Sequence, residues 1–170
     1  MSKLVTLKLE ELISGNKDIF YKELKEVINP NFTGLDTPEK YKGIVEDVVS
    51  KSNRASFARQ MRLEAAATEY LLKKKNKSLL ISSEMGTGKT SMGLKLSMND
   101  KFNVNFILCP PHLVDKWADE IKVSYKNPNA YQIIKVNRWE DLVPYTKRDM
   151  RKDSYKYYFI ISRETAKLGY

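Results

Sequence analysis

The sequence predicts an α/β fold: a parallel sheet behind a helical N-terminal segment. Three observations carry that expectation. Before Ser78 apolar residues recur at helical spacing, and after it short apolar runs alternate with helical patterns in the order of βαβ units. Where the first run meets the first of those helices stands a glycine-punctuated loop, GTGKT, from Gly86 to Thr90. The 170 residues suit one domain, and a hydrophobic fraction of 42% is enough for a packed core.

The elements follow in chain order. In "KDIFYKELKEVI" Ile19, Phe20, Leu24 and Ile28 share one helical face. "NPNFTGLD" is a loop by its Pro, Gly and Asn content. "TPEKYKGIVEDVVSK" opens with Thr37 as cap, Pro38 at the first helical position and Glu39 in the first turn, and Tyr41, Ile44, Val48 and Val49 form its stripe. "SFARQMRLEAAATEYLLKKK", rich in Ala, Leu and Glu, is the strongest helix. Beyond it "SLLIS" reads as a buried strand and "KTSMGLKLSM" as a helix. "NVNFILC" is a strand, and "PHLVDKWADEIKVSY" a helix with Leu113, Trp117 and Ile121 on one face, which reads Trp117 as core. "YQIIKV" is a strand, and "NRWEDLV" a short helix with a capping box from Asn137 to Glu140. "KYYFIIS" is the last strand.

A formal net charge of +9 favours polyanionic partners without requiring one. The single cysteine, Cys109, rules out an intrachain disulfide framework and reads as a small core residue. The single histidine, His112, rules out a metal site built on several histidines. No apolar run is long enough to span a bilayer and no signal-peptide core is present, so no membrane partner and a cytoplasmic setting are expected.

The loop carries the chemistry. Gly86 and Gly88 allow a tight turn and close approach of backbone amides to phosphate oxygens, and the helix that follows points its N-terminus at the anion. Lys89 reaches toward the β- and γ-phosphates, Thr90 offers a hydroxyl to Mg2+, and Thr87 completes the cradle with its backbone. The full P-loop pattern places a further Gly where Ser83 stands, so only its second half is matched.

"SSEMGTGKT" resembles motif I of superfamily-two helicases, and most of all the Snf-type DNA translocases, whose loop reads D-E-M-G-x-G-K-T and lacks that first glycine. "FILCPPHLVDKWADEI" is similar to motif Ia of the same family. The resemblance implies a RecA-like P-loop NTPase lobe that binds ATP and Mg2+, with DNA as partner. It implies that Pro110, Pro111, His112 and Lys116 lie at a turn touching a nucleic-acid backbone, and that Gln60, in "FARQMRLEAA", reads adenine. "SYKYYFIISRETAKLGY" resembles the strand that precedes the family's acidic box, which points to Ser162, Arg163 and Thr165 along the nucleic-acid path. Just before it, Lys147, Arg148, Arg151, Lys152 and Lys156 outnumber Asp149 and Asp153, with tyrosines between them that could stack on bases or sit in a solvated loop.

The hydrolytic half is missing. No acidic pair follows an apolar strand, and Asp119-Glu120 lies within a helix, so no catalytic residue is assigned. The expected organisation is a helical leader, 1–55, and a truncated helicase ATP-binding lobe, 56–170. In RecA-like sheets the cradle strand is flanked by strands that come later in sequence. Three readings follow: the leader covers the gap, a protein partner fills it, or the chain is a fragment whose remainder supplies the strands. The expected function is Mg-ATP binding by a phage or prophage motor lobe without turnover. The rival is a non-enzymatic basic binding protein on a degenerate lobe, for example a phage inhibitor of a host defence nuclease.

Overall fold

The computed structural model describes residues 15–19, 21–22, 38–72 and 78–168. The chain divides into two compact units, Met1–Thr33 and Gly34–Tyr170. In the first, the described residues are mostly helical, and Ile19 and Tyr21 are exposed. Phe20, Leu24, Ile28, the "NPNFTGLD" loop and the Thr37 cap lie outside the described residues.

The second unit begins with a 3-10 turn, Pro38–Tyr41, that runs into α1, Lys42–Lys51. α2, Ala58–Leu72, packs against α1 and against α3, Lys89–Ser97. The sheet strands are β1, Val104–Cys109, β2, Tyr131–Val136, and β3, Lys156–Ser162, with α4, Val114–Ser124, between the first two and a short α5, Arg163–Lys167, after the third. The spatial order is β1-β3-β2, with both pairings parallel. A mixed helix and strand chain with an all-parallel sheet is an α/β fold, as the alternating pattern predicted.

Strand alternation sorts the apolar residues onto two faces. On one, Tyr158 and Ile160 of β3 and Cys109 of β1 pack under α3 and α4, against Leu94, Met98, Ala118 and Ile121, with Trp117 partly buried among them. Burial there pushes the Cys109 thiol up. On the other face Tyr157 and Phe159 pack with Val136, Leu142, Tyr145 and Met150. That cover stops short of β1, where Phe106 and Leu108 are 63% and 62% exposed.

The expected leader boundary at residue 55 falls inside the second unit. The stretch after α1 is tied to the end of α4: Ser52 bridges Tyr125, Asn53 N donates to Ser124 O at 2.8 Å, and Arg54 pairs with Glu120 at 2.6 Å.

Two expected elements need correction. "SLLIS" is not a strand: residues 78–84 carry no regular structure, and Leu80 is 89% exposed. An extended run becomes a strand only when a neighbour takes its backbone groups, and none of the described strands stands beside it. Near Asn137 the reciprocal cap also differs. Asp141, not Glu140, reaches back, its Oδ2 accepting from the backbone N–H of Asn137 and of Arg138 at 2.9 Å and 3.2 Å. The turn it closes is a 3-10 helix, Trp139–Asp141, capped at Arg138, so the frame starts one residue later than expected and the residue three on is Asp141.

Candidate phosphate-binding loop

Gly86 and Gly88 take φ of +80° and +84°, a region where a side chain would be strained. Gly88 is also the residue that precedes α3, so the loop delivers the chain to the helix in a left-handed step. A Cβ on Gly88 would stand 2.6 Å from Gln60 Nε2, whereas one on Gly86 would meet nothing within 4 Å. Both glycines are needed for their dihedrals, and a side chain at Gly88 would in addition displace the amide end of Gln60.

The loop is held from within and from α2. Thr87 Oγ1 donates to Glu84 O at 2.8 Å and lies 2.8 Å from Ser83 Oγ. Lys89 Nζ turns back and donates to Ser83 O at 2.8 Å and Glu84 O at 2.7 Å. A phosphate oxygen entering the loop would exchange with these two carbonyls as partner of an ammonium that is otherwise exposed. Thr90 stands half-buried in the first turn of α3. Gln60, expected to read a base, uses both ends of its amide locally. Its Oε1 accepts from Phe57 N at 2.9 Å and its Nε2 donates to Thr87 O at 2.9 Å.

The residues drawn from the second resemblance fall elsewhere. Cys109 and Ser162 are register partners, so the turns that leave β1 and β3 emerge side by side at the carboxyl ends of parallel strands. That is the edge of an open α/β sheet where ligands gather. Pro111 and His112 are exposed in the 3-10 turn there, Lys116 is exposed on α4, and Arg163 is exposed at the start of α5. Ser162 is buried and caps α5, accepting from Thr165 N at 2.9 Å, so its hydroxyl is committed to the fold. Beside it a groove of about 600 Å³ runs between Val136, Trp139, Leu142 and Leu168.

Two arginines of the basic stretch are paired with its two aspartates. Arg148 binds both oxygens of Asp153 at 3.0 Å and 2.9 Å, and Arg151 binds Asp149 at 3.1 Å. Lys156 is buried and donates to Asn99 O and Phe102 O at 2.6 Å and 3.1 Å. The interleaved tyrosines pack on one another and on the sheet: Tyr145 meets Tyr157 edge-on at 5.8 Å, and Tyr157 is fully buried. Their rings belong to the second core, so base stacking there is not open to Tyr157.

One polar group escaped the sequence reading. Glu64 and Lys95 face each other across α2 and α3 in the interior, with Ser56 between them. The available signal was a Glu and a Lys placed within apolar helix stripes. Among the described residues no cluster of three or more His, Cys, Asp or Glu could hold a metal ion, and no helix is long and apolar enough to cross a membrane.

No protein-family model and no curated protein sequence matches this chain.

Proposed function

We propose that this chain binds a nucleoside triphosphate with magnesium at residues 86–90, ATP by its resemblance to Snf-type motor lobes, without turning it over alone. The observation that supports this most is the loop itself: two left-handed glycines, an exposed ammonium on loop carbonyls, and a nine-residue helix opening at Lys89. These parts fit a polyphosphate. Amides of residues 86–90 would hold the β- and γ-phosphates, Lys89 would neutralise them, and the Thr90 hydroxyl would bind Mg2+. Bound there, the ion would screen the negative charge of the phosphates. Nothing in the sequence supplies the carboxylates that hydrolysis needs, so binding and not turnover is the proposed activity. Nucleic acid, DNA by the same resemblance, is the proposed partner at the sheet edge that carries His112, Lys116 and Arg163.

Titration calorimetry with Mg-ATP tests the reading. Wild type should bind saturably, and Lys89→Ala should lose about 10- to 100-fold in affinity, the size of a charge-assisted hydrogen bond set. Absence of magnesium-dependent binding by the folded wild type would overturn it. That result would favour a non-enzymatic binding protein, for which the exposed Phe106 and Leu108 on β1 are the supporting observation.

A further inference from the structure

Ser56, Glu64 and Lys95 form a polar cluster that nucleotide binding does not use directly. The Glu64 and Lys95 side chains are 8% and 2% exposed, with Nζ 3.8 Å from Oε1. Ser56 Oγ lies 3.0 Å and 2.9 Å from the two carboxylate oxygens, and Lys95 Nζ donates to Ser56 Oγ. Burial lifts the Glu64 carboxyl above its ordinary range, outweighing the opposite pull of Lys95 and Ser56. A buried pair whose desolvation outweighs its attraction is a poor source of stability. What it does supply is a specific polar tie between α2 with the segment leading into it and α3.

Both helices carry the loop. Gln60, one turn before Glu64 on α2, donates to Thr87 O, and α3 opens at Lys89. In a planar trans peptide the Gly88 N–H points opposite to the Thr87 carbonyl. Holding that carbonyl toward α2 therefore aims the Gly88 N–H away from α2.

We infer that Ser56, Glu64 and Lys95 are positioning residues, a clamp that fixes α2 against α3 so that Gln60 orients the Thr87–Gly88 peptide for a phosphate. This rests on the nucleotide-binding reading above. It assigns the cluster a role in the loop's geometry, and none in touching the ligand.

The test uses the full chain carrying Glu64→Leu with Lys95→Met, compared with wild type and with Gln60→Ala. One readout is the Gln60 side-chain amide signal in a 15N NMR spectrum, identified by its loss in Gln60→Ala. The other is Mg-ATP affinity. The double variant should melt no lower than wild type, its Gln60 amide should move to the position of a free glutamine, and Mg-ATP should bind about tenfold more weakly, a usual size for coupling through packed neighbours. A folded double variant with an unmoved amide or with wild-type affinity overturns the clamp. If it does not fold, Glu64→Gln, which removes the charge and keeps the shape, decides by the same two readouts. If wild type binds no Mg-ATP, the nucleotide reading fails on its own, and the Gln60 signal alone decides the clamp: moved upholds it, unmoved overturns it.

Discussion

Residues 78–82 and 156–162 share an apolar grammar, Ser-Leu-Leu-Ile-Ser against Lys-Tyr-Tyr-Phe-Ile-Ile-Ser, and meet opposite fates. The second becomes β3, paired on both sides and buried along nearly its whole length. The first has no regular structure, and Leu80 is 89% exposed. The contrast is sharpest at single residues: Lys156, at the start of β3, is 7% exposed, far less than Leu80. Hydropathy sets what a residue would gain from burial, and sheet topology decides whether burial is on offer. A central strand inherits two hydrogen-bonding neighbours and two covered faces. A run with the same composition but no neighbour inherits neither.

The largest test of that contrast is Ile160→Ala in the middle of β3. Ile160 is fully buried, with Ile107 and Lys135 as register partners on either side. Truncation leaves a cavity that central strands cannot close, and the expected loss is about 2–5 kcal/mol. Urea unfolding followed by circular dichroism measures it. A loss under about 1 kcal/mol would mean that the sheet face is far looser than its packing indicates.

What was legible in the sequence follows the same division. β1, β2 and β3 could be read from their runs because each finds a neighbour, and α1 to α4 were legible from spacing and propensity. Trp117 was readable as core because Leu113 and Ile121 share its face. The glycines at 86 and 88 were legible because their need is local: a backbone dihedral belongs to one residue. Gln60 was legible as a residue near the loop, yet its partners were not, since Phe57 N and Thr87 O reach it only through the placement of α2. The pairing within the Ser56–Glu64–Lys95 cluster was not legible for that reason too: a Glu and a Lys in apolar stripes mark candidates, but contacts across two helices are properties of packing. The short α5 was missed because five residues carry too little periodicity, and only Ser162 ahead of Glu164 marked its start.

The pH dependence of Lys156 sharpens the comparison from the charged side. Burial holds its ammonium down at about 8, against the opposing pull of Asp100, with Lys51 adding to the depression and Asp47 opposing it. An unfolded lysine keeps its proton to about 10.4, so between these values the unfolded chain binds more protons than the folded one. Stability from this group is therefore gained as pH rises above about 8 and is absent below it. Between pH 8 and 9.5 the gain should be on the order of 1–2 kcal/mol, read as a rising urea midpoint. Above that range Tyr125 and Tyr158, whose hydroxyls burial pushes up, begin to act in the opposite direction. Lys156→Met should flatten the rise, and an unchanged slope in that variant would assign the pH dependence to other groups.

The smallest expected effect is the most informative about the loop. Leu80→Ser replaces a large apolar side chain in a segment whose sequence says core. With 89% of Leu80 already in water, the substitution should change stability by no more than about 0.5 kcal/mol in the isolated chain. Its neighbour Leu79 is 39% exposed, and the same substitution there should cost more, in proportion to the apolar area it buries. A loss above about 1 kcal/mol at Leu80 would show that the segment is covered in solution, by another copy or by a strand from elsewhere. The dependence of that loss on protein concentration separates the two: cover by a second copy makes the loss shrink on dilution, whereas cover from within the chain leaves it constant. The same substitution thus measures whether the entry to the phosphate loop is an open run or half of a pairing, and so whether Gly86 to Thr90 are anchored from α2 and α3 alone.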